Sequence, residues 1–385
     1  MNSPSPLYFD YAATTPVDDR VIEMMLTCLG RHSEFGNPAS SGHAYGSAAR
    51  ARVEQARHQV ASRIKAAAEQ IVWTSGATES NNLALKGIAE AFAQPGHLLT
   101  SALEHKAVLD TAAQLEQRGW TVTRLLPDAD GLVQPETVRA ALRADTRLVS
   151  LMAVNNELGT LTDFAAIGEL VRAHGALLHV DAAQAVGKLE IDLGRQAVDL
   201  MSFSAHKVYG PKGIGALYVG PRAQALLRAQ MHGGGHERGM RSGTLASHQI
   251  VGMGYAFELS GEPGDTEHRR LQQLSQRLHE GLLALPGTAV NGSIRQRVPH
   301  TLNLRIAAAG FNPGALSTEL ALSSTSACNS ASNAASHVLL ALGLDEQAAR
   351  SSVRISLGRY SSEAEVDAAI TVFARVIGAA SKALW

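Results

Sequence analysis

The sequence predicts an α/β fold: a large unit with a mostly parallel mixed sheet flanked by helices, joined to a smaller α+β unit. Three observations carry this. From Gln70 to Leu259, short apolar runs alternate with amphipathic stretches of helical length, the pattern of strands joined by crossover helices. Two of these runs end on residues with obvious chemistry, Asp181 and Lys207, at the kind of sheet edge where α/β folds gather ligands. A polar run, Gly261 to Glu267, then interrupts the alternation, and a different pattern follows. The expected division is residues 15–260 for the large unit, and 1–14 with 261–385 for the small one.

In chain order, Leu7 to Pro16 reads as an extended segment entering a turn. Val17 to Leu29 reads as a helix, with Asp18 and Asp19 favourable in its first turn. Cys28 sits there between Leu26 and Leu29 as a small buried hydrophobe. Phe35 to His43 is rich in turn formers, and a long alanine-rich helix follows from Ala44 to Ile64. Gln70 to Ser75 is a strand running into Gly76-Ala-Thr-Glu-Ser-Asn-Asn82 and a helix, an arrangement whose free backbone N–H groups bind anions. It lacks the lysine of a Walker loop and the glycine spacing of a dinucleotide site. Strands at His97–Ser101, Thr121–Leu126, Arg147–Val154 and Ala176–Asp181 alternate with helices at His105–Arg118, Pro135–Arg143 and Asp163–His174. After the strand ending near Phe203, Gly210-Pro211 and Gly213 force a bend before a second apolar run, Ile214 to Val219.

Met231 to Thr244 is the least helix-like stretch; its glycines, arginines and histidines suit either a phosphate cradle or a flexible surface loop. A helix spans Gln249–Leu259. The small unit then reads as a helix (His268–Leu285), a strand (Thr301–Ile306), a helix (Pro313–Ala321), a strand (Val353–Leu357) and an amphipathic helix from Ser362 to Leu384.

A strand-end Asp followed by a strand-end Lys is the pairing that pyridoxal phosphate requires. The carboxylate keeps the pyridine nitrogen protonated, and the amine carries the aldehyde. Asp181 and Lys207, the latter within Ser204-Ala-His206-Lys207, supply that pair, and His105 occupies a similar edge. A second cysteine, Cys328, lies in the small-residue tract Ser323 to Ser336, where nothing nearby buries it; this predicts an exposed thiol on a mobile loop. A thiol with the reference pKa of about 8.5 is a competent nucleophile at neutral pH. No ligand stands near it at zinc spacing, so no metal site is expected. Val353 to Arg359 ends a strand with two arginines, a fork for a carboxylate.

Composition bounds the function. The 385 residues are 45% hydrophobic and carry a formal net charge of −1, which advertises no basic face for nucleic acid or anionic membrane. No signal peptide or bilayer-spanning run is visible, and two cysteines give no disulfide framework. A cytoplasmic protein is expected.

The whole chain resembles the cysteine desulfurases of the NifS/IscS type, fold-type I pyridoxal phosphate enzymes. The blocks that match are Tyr11-Ala-Ala-Thr-Thr-Pro16, Phe35-Gly-Asn-Pro-Ala-Ser40, Thr74-Ser-Gly-Ala-Thr-Glu-Ser80, Glu104-His-Lys-Ala-Val-Leu109, Val154-Asn-Asn-Glu157, His179-Val-Asp181, Ser204-Ala-His-Lys207, Gly233 to Thr244, Ser326-Ala-Cys328 and Arg354 to Arg359. The resemblance implies that Lys207 holds the cofactor, Asp181 pairs with its ring nitrogen and His105 stacks on its face. It places Gln184 and Asn156 near the ring oxygen or substrate, and Ala77, Thr78, Ser204 and His206 around the phosphate. Thr244 would reach the phosphate of the other subunit in a homodimer. Arg354 would bind the carboxylate of L-cysteine. Lys207 would remove the Cα proton, His105 would carry protons, and Cys328 would take the sulfur as a persulfide for a protein acceptor. That acceptor is an iron–sulfur scaffold or a relay for thiolation of tRNA or DNA.

Two departures stand out. Thr325 replaces the usual glycine before Ser-Ala-Cys, which stiffens the loop, and the sequence ends at Trp385, where housekeeping members commonly continue into a scaffold-docking tail. Rival readings on the same fold are a selenocysteine lyase or an aminotransferase, and outside catalysis a sulfur-relay adaptor. Cys328 weighs against the aminotransferase, and intact Lys207 and Asp181 against the adaptor.

Overall fold

The computed structural model describes residues 5–261, 265–324 and 335–382. In chain order its elements are β1 (Leu7–Tyr8), α1 (Asp19–Leu26), α2 (Ala44–Arg63), β2 (Ile71–Thr74), α3 (Ala77–Ala89), β3 (His97–Ser101), α4 (Lys106–Gln117), β4 (Thr121–Leu125), α5 (Pro135–Ala141), β5 (Thr146–Met152), α6 (Phe164–His174), β6 (Leu177–Asp181), β7 (Leu200–Ser204) and β8 (Gly215–Val219). They continue as α7 (Pro221–Gln224), α8 (Ser247–Glu258), α9 (Thr266–Leu283), β9 (Thr288–Val290), β10 (Thr301–Ile306), β11 (Leu320–Ala321), β12 (Ser323–Ser324), α10 (His337–Ala341), α11 (Glu346–Arg350), β13 (Ser352–Ser356) and α12 (Glu363–Lys382).

Seven strands form the large sheet in the order β2-β8-β7-β6-β5-β3-β4. Pairings from β7 to β4 are parallel, and β8 runs antiparallel to both its neighbours. The reversal follows from the short connection 205–214, which joins antiparallel strands directly but is too short for a crossover helix. Helices cover both faces, so the central strands are buried throughout and read as continuous apolar runs. One core packs Val53, Val60 and Phe257 against Trp73 and Phe203; the other packs Leu85, Val108 and Leu115 against Leu98 and Leu217. Each such fully buried side chain contributes about 2 kcal/mol.

The second sheet, β12-β13-β10-β9, is antiparallel. Leu271, Leu274, Leu278 and Leu282 of α9 and Val366, Ala369, Phe373 and Ile377 of α12 share its core with Leu304 and Ile355, confirming the apolar stripe expected of the last helix. The first strand joins this unit: β1 pairs parallel with β11, and Asp10 bridges to Ser356.

The helix expected over 313–321 is one 3-10 turn, Pro313–Leu316, followed by β11. Ser317 Oγ donates to the Gly314 carbonyl at 2.7 Å, the local competition that makes serine a helix breaker, and Leu320 is committed to pairing with Leu7. Cys28 is buried as expected, although it lies just past the end of α1 and Leu26 and Leu29 beside it are exposed. The stretch 231–244 is no free surface loop. Glu237 is buried in it and accepts both Nη1 and Nη2 of Arg57, at 2.7 and 2.9 Å, plus the Trp73 N–H at 2.8 Å.

Candidate active site

Parallel strands leave their C-terminal ends along one edge, and β5, β6 and β7 deliver Met152, Asp181 and Ser204 there. These ends open into a cleft of about 760 Å³, whose opposite wall is Asp10 to Thr14, Ser323 and Arg354 of the smaller sheet's side. Ala77, Thr78, His105, Asn156, Asp181, Gln184, Ser204, His206, Lys207 and Arg354 all line it. Thr244 is exposed outside the cleft. Cys328, with Thr325, lies outside the described residues.

Lys207 follows β7 on a single 3-10 turn, which aims its amine back across the strand ends. Nζ donates to the carbonyls of Ala12 and Ala13, both at 2.6 Å. Asp181 is buried; one carboxylate oxygen accepts from Asn81 Nδ2 at 2.7 Å and the other from the Ala183 N–H at 3.0 Å. These donors are neutral, and no ion pair with Asp181 occurs among the described residues. A buried carboxylate held only by amides suits a protonated ring nitrogen.

His105 caps α4: its Nδ1 accepts the Ala107 N–H at 3.1 Å, which leaves the proton of the neutral ring on Nε2. The ring opens on the cleft, yet burial by its surroundings lowers its pKa; Asp181 opposes this and Lys207 adds to it. Beneath it, Glu104 is fully buried, and desolvation raises its pKa well above the carboxylate range.

The anion end is built by α3. Its N-cap, Gly76, has no side chain to satisfy the first-turn N–H groups and holds φ at 155°, a conformation other residues rarely adopt. A Cβ on Gly215 of β8 would fall 2.6 Å from Gly76 Cα, so glycine there is what lets the turn lie against the sheet. The first-turn N–H groups of Ala77 and Thr78, with Ser204 and His206 lining the same cleft, could hold an anion such as a phosphate. Burial, then Lys207 and Lys212, push the His206 pKa down to about 4, so its ring is neutral.

Arg354, buried on β13, donates Nη1 to the Asn156 carbonyl (2.9 Å) and Nη2 to Asp10 Oδ1 and Ser323 Oγ (2.8 Å each). Its Nε has no partner among the described residues. The pair of arginines expected to fork one carboxylate separates: Arg359 points away and binds Asp18 at 2.6 Å and Glu267 at 3.1 Å, stacked 4.2 Å over Tyr209. It lies on a strand exit where side chains have left the alternation that aims Arg354.

Sequence reasoning missed Asp10, Asn81 and Ser323. Asp10 ends an apolar segment as Asp181 does, and Asn81 lies inside the Gly76–Asn82 block, so both carried a usable signal; Ser323 carried none. The cleft fits pyridoxal phosphate: a carboxylate for the ring nitrogen, an amine for the aldehyde and a helix N-terminus for the phosphate stand along one wall. Among the described residues no group of side chains could hold a metal ion, and no helix is long and apolar enough to cross a membrane.

The aminotransferase class-V family model matches residues 7–369. The curated cysteine desulfurase IscS of Azotobacter vinelandii (strain DJ / ATCC BAA-1303) is 56% identical over 375 residues, 97% of this chain and 93% of the relative. Among solved structures, a NifS-like protein superposes with TM-score 0.88 at 35% identity, covering 97% of this chain and 99% of the other. SspA in complex with cysteine superposes with TM-score 0.82 at 40% identity, covering 92% and 100%.

Proposed function

The chain belongs to the aminotransferase class-V family and acts as a pyridoxal phosphate-dependent cysteine desulfurase; from that premise we propose the roles of its residues. The observation that carries the assignment is the convergence of Lys207, Asp181 and Arg354 on one cleft. Bound pyridoxal phosphate supplies an electron sink that loosens the bonds at Cα of L-cysteine. Asp181 accepts the ring N–H, and the α3 N-terminus with Ala77, Thr78, Ser204 and His206 holds the phosphate. Lys207 would hold the aldehyde carbon and would take the Cα proton of the substrate. Asn156 and Gln184 would contact the ring oxygen or substrate.

Arg354 receives the substrate carboxylate through the face of its guanidinium that lines the cleft. Asp10 neutralises the guanidinium meanwhile, which makes its burial tolerable. His105 carries protons through Nε2. The Cys328 thiolate attacks the substrate sulfur: an S–S bond forms, the C–S bond breaks, and its electron pair passes to the carbon skeleton, which is protonated to L-alanine. The enzyme is left as a Cys328 persulfide, to be passed to a protein acceptor, an iron–sulfur scaffold or a thiolation relay. Thr244, exposed and outside its own cleft, serves the partner's phosphate in a homodimer. The units 15–260 and 1–14 with 261–385 close around the site, in a cytoplasmic enzyme.

The test is chemical labelling. Borohydride treatment of the holoenzyme should fix the cofactor on the Lys207 peptide, and cysteine labelled with radioactive sulfur should place its label on Cys328. Replacing Cys328 by Ser should keep the cofactor band while alanine production from cysteine stops. Label on another lysine, or parental turnover by the serine variant, would remove this assignment.

A further inference from the structure

A second cavity of about 50 Å³ lies behind Lys207, and Lys188 lines it. Lys188 follows Gln184 by one turn, placed by the bond from its N–H to the Ala185 carbonyl at 2.9 Å. Its Nζ donates to Gln184 Oε1 at 2.7 Å. The other end of that amide, Gln184 Nε2, donates to the Ala12 carbonyl at 2.7 Å, and the same carbonyl accepts from Lys207 Nζ. We infer that Lys188 is a positioning residue for the reaction, fixing the Gln184 amide so that only a hydrogen-bond donor faces the cleft and holding Ala12 against Lys207.

The argument is one of polarity. A carbonyl only accepts, so Ala12 requires Nε2 at its end, and a lysine amine donates whether or not it is protonated, so Oε1 belongs at the other. Turned over, the amide would set oxygen against oxygen at Ala12 and lose that bond, and the protonated amine would lose its acceptor. Locked as observed, Gln184 has one N–H left to present, and the group best served by it is an anionic oxygen such as that on the cofactor ring.

Among the described residues no carboxylate pairs with Lys188. Asp265 and Glu267 line its cavity, but Asp265 caps α9 and Glu267 pairs with Arg359, while His268 and His300 add only neutral rings or positive charge. Lys207 and Arg354 add further positive charge, and burial before either pushes the Lys188 pKa down to about 7. An amine kept there without a counter-ion is costly unless its hydrogen bond is used.

This inference rests on the assignment of the cofactor to Lys207, and the experiment separates the two. In the holoenzyme, Lys188→Met should leave borohydride fixation at Lys207 intact. The freed amide no longer stabilises an anionic ring oxygen, so the pH midpoint of the visible cofactor band should rise by about half a unit or more. The rate constant kcat should fall about fivefold with KM for cysteine little changed. Lys188→Arg, which keeps a cationic donor, should recover both. In a Gln184→Met background the Lys188→Met change should add nothing further, because the two act through one bond. An unmoved midpoint, or full additivity with Gln184→Met, would overturn the role of Lys188. Fixation at another lysine would overturn the site assignment instead. If Lys188→Met does not fold, Lys188→Gln, too short to reach Oε1, should show the same shift, and a parental midpoint there would be equally fatal.

Discussion

Arg354 and Arg359 leave one strand five positions apart and are both largely buried, yet the protein uses them in opposite ways. Arg359 is saturated: Asp18, Glu267, the Leu259 carbonyl and the face of Tyr209 take up its guanidinium. Arg354 is tied as well, by its Nη groups to Asn156, Asp10 and Ser323, but it lines the strand-end cleft and Arg359 does not. A cation packed away from the cleft fastens elements together. One on the cleft wall stands where the substrate carboxylate of the proposed reaction would meet it. Charge and burial alone do not separate the two; their place relative to the cleft does.

The sharpest way to break this comparison is to remove each charge in turn. Arg354→Met should lower kcat/KM for cysteine by about 100-fold, the worth of a charge-assisted pair with the substrate carboxylate, with most of the loss in KM. The melting temperature of the cofactor-loaded protein should move far less than the activity. Arg359→Met should do the reverse. It leaves buried Asp18 with Arg20 alone and should cost about 3 kcal/mol in urea unfolding, while kcat at 25 °C stays within a few-fold of the parent. A large activity loss without destabilisation in the second variant would erase the distinction.

Acid sharpens it further. Side-chain bonds from Arg20 and then Arg359, against some burial, hold Asp18 well below the usual carboxylate range, so its contribution is full above the unfolded value of about 3.9 and is lost as the pH falls from there through that low value. His206 acts with the same sign in a higher window: its folded pKa of about 4 lies below that of the unfolded chain, near 6.5. Between these values the unfolded state binds the extra proton, so stability is full above pH 6.5 and declines as pH falls towards 4. The His206→Asn variant should show a shallower decline over that window, with the remainder due to other buried histidines such as His179. Arg359→Met should keep the parental slope at lower overall stability. The smallest effect concerns Cys28, buried beside Thr27: Cys28→Ala should cost about 1 kcal/mol and leave turnover unchanged.

Much of this was legible in the sequence, for reasons that differ by residue. The strand Gly215–Val219 announces itself because burial on both faces forces an unbroken apolar run, and Thr301–Ile306 because Leu302, Leu304 and Ile306 alternate with polar residues. Asp181, Lys207 and the Gly76–Asn82 turn were readable because a strand end fixes where the next side chain must go. The 313–321 segment misled because its composition allows a helix, while pairing of Leu320 with Leu7, some three hundred residues away, decides against it. The separation of Arg354 from Arg359 depends on Asp18 and Glu267, each far along the chain from its partner, and no local pattern records that.

The attachment of the first strand also reaches into the timing of synthesis. Ala12 binds Ser356 across a separation of 344 residues, and its carbonyl and that of Ala13 hold the Lys207 amine. This segment therefore completes its contacts in two stages. Its bonds to Gln184 and Lys207 need only the large sheet, whereas the bond to Ser356 waits, at elongation rates of about 5–20 residues per second, roughly 17–70 s after Ala12 is made. A nascent chain stalled before β13 would hold a finished sheet and a gripped lysine, with Arg354 still missing from the wall of the pocket.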